Sequence, residues 1–177
     1  MDNLITRGVN QWWNSGGIWS DISITNVSGA TLAAAAAVWI EDSIPLFTNL
    51  NVSKSDNGII VRHISETTTR PTFLDTKIED CQYRGVLVER LDHSNFSNLQ
   101  TNAIFTGLEV RGTGGPNAKT PGLGIGASFD VNTSGAKVTD AIIEGNAIIG
   151  FRAYTTDSST SLTNVTIRDN GPESPLN

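Results

Sequence analysis

Few side chains in this 177-residue chain are suited to chemistry. His63 follows Arg62, and the spacing of the chain sets both near Glu89 and Arg90. A carboxylate–guanidinium–imidazole group of that kind can abstract a proton next to an acidic sugar's carboxyl. Asp92, His93 and Ser94 place an acid, a base and a hydroxyl side by side. Sequence neighbours rarely converge in space, so this trio reads as a solvated bend. Glu79, Asp80 and Glu144 carry the oxygen ligands that calcium takes, although charged partners described below already account for them. No cofactor is expected, with calcium left open. Two histidines and the single Cys81 are too few for a zinc site, and a lone cysteine forms no internal disulfide. Cys81 reads as a small apolar filler.

What must position these groups is a repeat. A six-residue phrase recurs as Trp19–Ile24, Phe47–Val52, Phe73–Ile78, Phe105–Val110, Val138–Ile143 and Leu162–Ile167, at spacings of 28, 26, 32, 33 and 24 residues. Units of this length imply stacked copies of one element, each burying its apolar face on the next. Apolar residues hold the first and sixth places and, except at Thr76, the fourth; the last two alternate with a residue that is polar in five of the six copies, as in a strand. Asp or Asn fills the third place in five of the six copies, where its side chain can hold a tight bend. A second phrase follows, opening on Gly58, Gly85, Gly124 and Gly150, with Ala37 in the same slot before Val38-Trp39-Ile40. The glycine is expected to supply a backbone bend. Two strands and two bends per unit describe one rung of a parallel β-helix. Phe96–Gln100 also fits the first phrase, which leaves the register between 90 and 125 open.

Stacked rungs bring equivalent outward residues within about 5 Å of each other. One such column reads Thr25, Ser53, Glu79, Arg111, Glu144, Arg168; others contain Asn51, Lys77, Glu109 and Glu41, Arg62, Glu89. Opposite signs meet at every charged step. We read these residues as a structural ladder of ion pairs.

Composition fits one all-β domain with a core. A net charge of −6 argues against nucleic acid and anionic membranes as partners. No apolar run of membrane-spanning length occurs, so no membrane insertion is expected. Met1–Leu4 begins neither a basic region nor a long apolar core, so no signal peptide is visible. Five Asn-x-Ser/Thr sequons, at Asn26, Asn51, Asn95, Asn132 and Asn164, are about what this composition supplies by chance.

Residues 1–16 form a cap or lead-in. Leu4, Ile5, Val9 and Trp12 have near-helical spacing, with Asp2 as an N-cap, so a short cap helix and an extended lead-in strand are the two readings. The solenoid is expected over 17–171 with about five to six rungs, interrupted by a Gly- and Pro-rich loop insertion at 112–122. Residues 172–177 read as a C-terminal tail, where Pro172 and Pro175 stop strand pairing. Nothing in the tail covers the last rung, which points to a chain that assembles with others or belongs to a longer one.

The segment Asp75–Val88 resembles the right-handed parallel β-helices of the pectate-lyase-like superfamily. That group holds polysaccharide lyases, pectin hydrolases, epimerases and phage tailspikes, and the resemblance covers roughly 17–170. The Asn-Thr-Asp, Gly-His-Gly and Arg-Ile-Lys marks of its hydrolases are missing. Val38-Trp39-Ile40-Glu41-Asp42 matches the Val-Trp-Ile-Asp-His segment of pectate lyases only in its first three places.

All four tryptophans lie within the first 39 residues, and Trp39 falls in an outward column with Ile60 and Leu87, an apolar stripe of the sort that marks a contact surface. Trp12, Trp13 and Trp39, with Asn117 and Lys119 of the loop, are the candidate contacts to glycan or to another subunit. The expectation is a non-catalytic recognition or scaffold segment of a tailspike-like or cell-surface protein, located outside the cell or on a virion, and a homo-oligomer or part of a longer chain. The alternatives are a polysaccharide lyase or glycoside hydrolase of this fold, and a self-assembling filament or surface-layer subunit.

Overall fold

The structure, a computed structural model, describes residues 7–13, 15–29, 35–64, 69–90, 101–116, 124–130, 135–153 and 160–171. Its elements are all strands. The odd-numbered ones are β1 (Arg7–Trp12), β3 (Ala36–Glu41), β5 (Asn57–His63), β7 (Arg84–Arg90), β9 (Ile125–Asp130) and β11 (Ile149–Ala153). The even-numbered ones are β2 (Ile18–Thr25), β4 (Leu46–Ser53), β6 (Thr72–Glu79), β8 (Ile104–Arg111), β10 (Lys137–Glu144) and β12 (Ser161–Arg168). Odd strands make one six-stranded sheet and even strands the other, each in chain order and parallel throughout. Among the described residues, five strand pairs, β2–β3 to β10–β11, are therefore stacked rungs, flanked by β1 and β12. This fits a right-handed parallel β-helix, the hand that parallel crossovers adopt.

The six-residue phrase becomes the even strands, with Phe105 and not Phe96 as its fourth copy: Phe105 pairs with Phe73 on one side and Val138 on the other. Its apolar places 1, 4 and 6 all face inward, which a regular pleat forbids for places 1 and 4. The third residue resolves this. Asp21, Asn49, Asp75, Asp140 and Asn164 have φ between 52° and 56°, and Gly107 has 67°. One left-handed residue acts as a bulge that returns the next side chain to the inside. Asn and Asp tolerate that conformation better than other side-chain-bearing residues, which explains the composition of the column.

The core is filled by columns of like side chains. The rings of Phe47, Phe73 and Phe105 stack at 5.2 and 4.8 Å between centroids, within 9° of parallel, and Trp19 stacks 6.1 Å above Phe47. Val38, Ile40, Ile59, Val61, Val86 and Val88 face them from the odd strands. At the corners, side chains tie rung to rung: Val27 N–H donates to Ser55 Oγ at 3.2 Å and Thr113 N–H to Asn146 Oδ1 at 3.0 Å. Asn146 N–H donates in turn to Asn170 Oδ1 at 3.0 Å.

Three expectations change. Residues 7–12 are a strand, so the lead-in is extended and the cap helix is not formed there. The glycine slot of the fourth rung belongs to Gly126, not Gly124, because Val86 pairs with Ala127. The glycines of that slot are not at positive φ; they are needed because backbones approach closely. A Cβ on Gly85 would lie 2.6 Å from Gly126 O, and one on Gly126 would lie 2.5 Å from Gly150 O.

Candidate functional site

His63 and its expected partners occupy one strand pair but not one face. Arg62 pairs with Glu89 and His63 with Arg90 across β5 and β7. The Arg62 guanidinium is ion-paired with Glu89 on the outside of the sheet. His63 belongs to the inward alternation with Ile59 and Val61 and is buried. Strand geometry therefore sets the imidazole and the Arg62–Glu89 pair on opposite sides of the backbone. Asp92, His93 and Ser94 lie outside the described residues, as do Asn117 and Lys119 of the loop.

The ladder residues Glu79, Arg111, Glu144 and Arg168 are successive Cα partners from β6 to β12. Glu144 is clasped by the Arg111 guanidinium from one side and by Arg168 at 2.5 Å from the other, with its side chain only 14% exposed. Glu79 also meets Lys77 at 2.9 Å along its own strand, and Arg111 meets Glu109 at 3.3 Å. Among the described residues no three His, Cys, Asp or Glu side chains converge as a metal site requires. Beyond Glu89, the column of Glu41 and Arg62 continues to Asp130, so the alternation of sign ends there.

The expected exposed stripe is present in register and absent as a surface. Trp39, Ile60 and Leu87 are adjacent, but Trp39 is only 3% exposed and the three form, with Ala36, a second apolar cluster outside the main core. Two guanidinium groups cover the indole: Arg7 Cζ lies 4.0 Å and Arg62 Cζ 4.3 Å from its ring centre. Such contacts contribute about 0.5–2 kcal/mol each, more as they lose water. Burial pushes the Arg7 guanidinium below its ordinary pKa; Glu41 opposes that shift and Arg62 adds to it.

The aromatic surface lies next to this cluster. Trp12 is 46% exposed and Trp13 80%, at the end of β1, and Arg7 Cζ sits 4.9 Å from the Trp12 ring centre. This end of β1 thus carries two exposed indoles, one of them with a guanidinium over its ring, groups able to stack on a flat ring and pair with an anionic group. Arg7 escaped the sequence reading. The signal was present: Arg7-Gly8-Val9 repeats Arg84-Gly85-Val86, and both triplets occupy the same place on their rungs.

The described surface also carries two grooves. One of about 320 Å³ runs past Asn26, Lys54 and Asp80 at the rung corners, and one of about 330 Å³ opens where Gly107 leaves room between Asp75 and Asp140. Cys81 is buried, and burial pushes its thiol up to about 12, so the side chain acts as filler. The chain matches no family model and no curated protein.

Proposed function

We propose that this chain is a non-catalytic β-helical recognition or scaffold segment of a tailspike-like or cell-surface protein, contacting glycan or sister chains through its outer faces. The observation that carries this reading is the exposure of Trp12, with Arg7 over its ring, and of its chain neighbour Trp13. Indole faces bind flat sugar faces, and a partly dehydrated guanidinium favours sugars that carry a carboxylate. The ladder supports the scaffold half of the reading, because Glu144, Arg111, Arg168, Arg62 and Glu89 spend their charge between rungs. The resemblance to tailspikes supports a location outside the cell or on a virion.

The test is a glycan array that includes uronate-bearing chains, followed by product analysis of the bound glycan. Binding that is lost in the Trp12→Ala/Trp13→Ala double variant, without new reducing ends or unsaturated sugars, supports recognition. Such products would assign instead a polysaccharide lyase or glycoside hydrolase of the same fold.

A further inference from the structure

Arg7 is a half-buried cation that forms no ion pair among the described residues. Arg62, by contrast, meets Glu89, and Arg111 and Arg168 meet Glu144. Arg7 Nη1 donates to the uncharged Asn10 Oδ1 at 3.1 Å, and its Nε is buried without a partner. Burial lowers its pKa; Glu41 acts the other way without closing an ion pair, and Arg62 adds to the lowering. A guanidinium in that state has lost water without gaining an anion, so an anion from outside is worth more to it than to a solvated one.

The same group is held in one orientation. Its Cζ lies 4.0 Å from the Trp39 ring centre and 4.9 Å from that of Trp12. A guanidinium stacked on aromatic rings keeps its N–H donors in its own plane, pointing out from its edge. Two oxygens of one anionic group match that edge. Trp12 is 46% exposed, so a ring that carries such a group can lie on the indole next to the cation.

We propose that Arg7 reads the charge of the ligand, pairing edge-on with one oxyanion of a sugar, a carboxylate or a sulfate ester, while the sugar ring lies on Trp12. Asn10 and Trp39, Cα partners on β1 and β3, are positioning residues: one fixes Nη1 and the other the plane of the guanidinium. Glu41, the Cα partner of Trp12, opposes the incoming anion and holds its affinity down. This inference rests on the recognition reading above and names the chemical class of its ligand.

The test titrates the full chain with one oligosaccharide backbone in neutral, uronate-bearing and sulfated forms, read by tryptophan fluorescence at low salt. The parent should bind an acidic form at least about tenfold tighter than the neutral one, and about 0.5 M salt should shrink that advantage. The uronate and sulfate arms identify which oxyanion is taken. Arg7→Gln should bring the acidic-to-neutral ratio to about one. Glu41→Gln should raise the ratio about threefold, because a nearby like charge is removed. A merely structural contact would move both affinities together and leave the ratio alone. If Arg7→Gln fails to fold, Glu41→Gln decides. Equal affinity for all three forms in the parent, a ratio that survives Arg7→Gln, or one that Glu41→Gln leaves unchanged overturns the inference, and binding of the neutral form then still supports recognition. Binding of no form overturns the recognition reading as well.

Discussion

The side-chain amide of Asn49 donates to the Asp21 carboxylate at 2.7 Å while both residues hold a left-handed backbone, φ 53° and 56°. One rung-to-rung hydrogen bond thus joins the two positions that turn the first, fourth and sixth residues of each strand inward. The column runs Asp21, Asn49, Asp75, Gly107, Asp140, Asn164, so Gly107 interrupts an alternation of acid and amide.

Replacing Gly107 is expected to separate conformation from hydrogen bonding. Gly107→Asn restores the alternation between Asp75 and Asp140; its Cβ comes closest to the movable Asp75 Oδ1, at 2.6 Å, and stays at 3.5 Å from the Asp75 backbone. Urea denaturation should find it as stable as the parent or more stable by up to about 1 kcal/mol. Gly107→Val, forced to φ +67°, should lose about 2 kcal/mol.

Removal of the shared carboxylate should cost more than removal of either outer cation. Glu144→Gln leaves Arg111 and Arg168 facing each other with no anion between them. We expect a loss of about 1–2 kcal/mol, discounted for the exposure of both arginines, against under about 1 kcal/mol for Arg168→Gln. Melting in 1 M salt should narrow the difference, because screening weakens exposed pairs first.

Phe73 lies between two stacked rings, Phe47 at 5.2 Å and Phe105 at 4.8 Å. Phe73→Ala should lose about 3–5 kcal/mol in equilibrium unfolding, the cost of a cavity in a packed column. Phe73→Leu retains most of the volume and should lose less than half of that.

Alkaline pH should weaken the fold through Cys81, whose thiol is raised from 9.0 to about 12 by burial. The unfolded chain releases this proton first, so above pH 9 it binds fewer protons than the folded chain. The contribution is fully present below pH 9 and is lost as pH rises from about 9 to about 12, at roughly 1.4 kcal/mol per pH unit. Urea midpoints against pH should fall more steeply for the parent than for Cys81→Ala. Parallel slopes would refute the assignment.

Local pattern determined a great deal here. The period, the inward phenylalanines, the Asp and Asn of the left-handed column and the order Glu79, Arg111, Glu144, Arg168 were legible because strand stacking brings equivalent positions together in every rung. The tertiary structure alone decided what covers an outward column and where a register restarts after an irregular segment. Trp39 has the pattern of a surface residue, yet Arg7 from a strand that the helical spacing of Leu4, Ile5, Val9 and Trp12 concealed lies over its ring. Gly126 replaced Gly124 because strand register depends on where the chain re-enters the sheet after the loop, which hydrogen bonding to β7 sets and spacing does not. His63 and Arg62 are sequence neighbours on opposite faces, so proximity along the chain kept them apart. Repetition is encoded locally and can be read from the chain; burial of a particular side chain depends on segments that do not repeat.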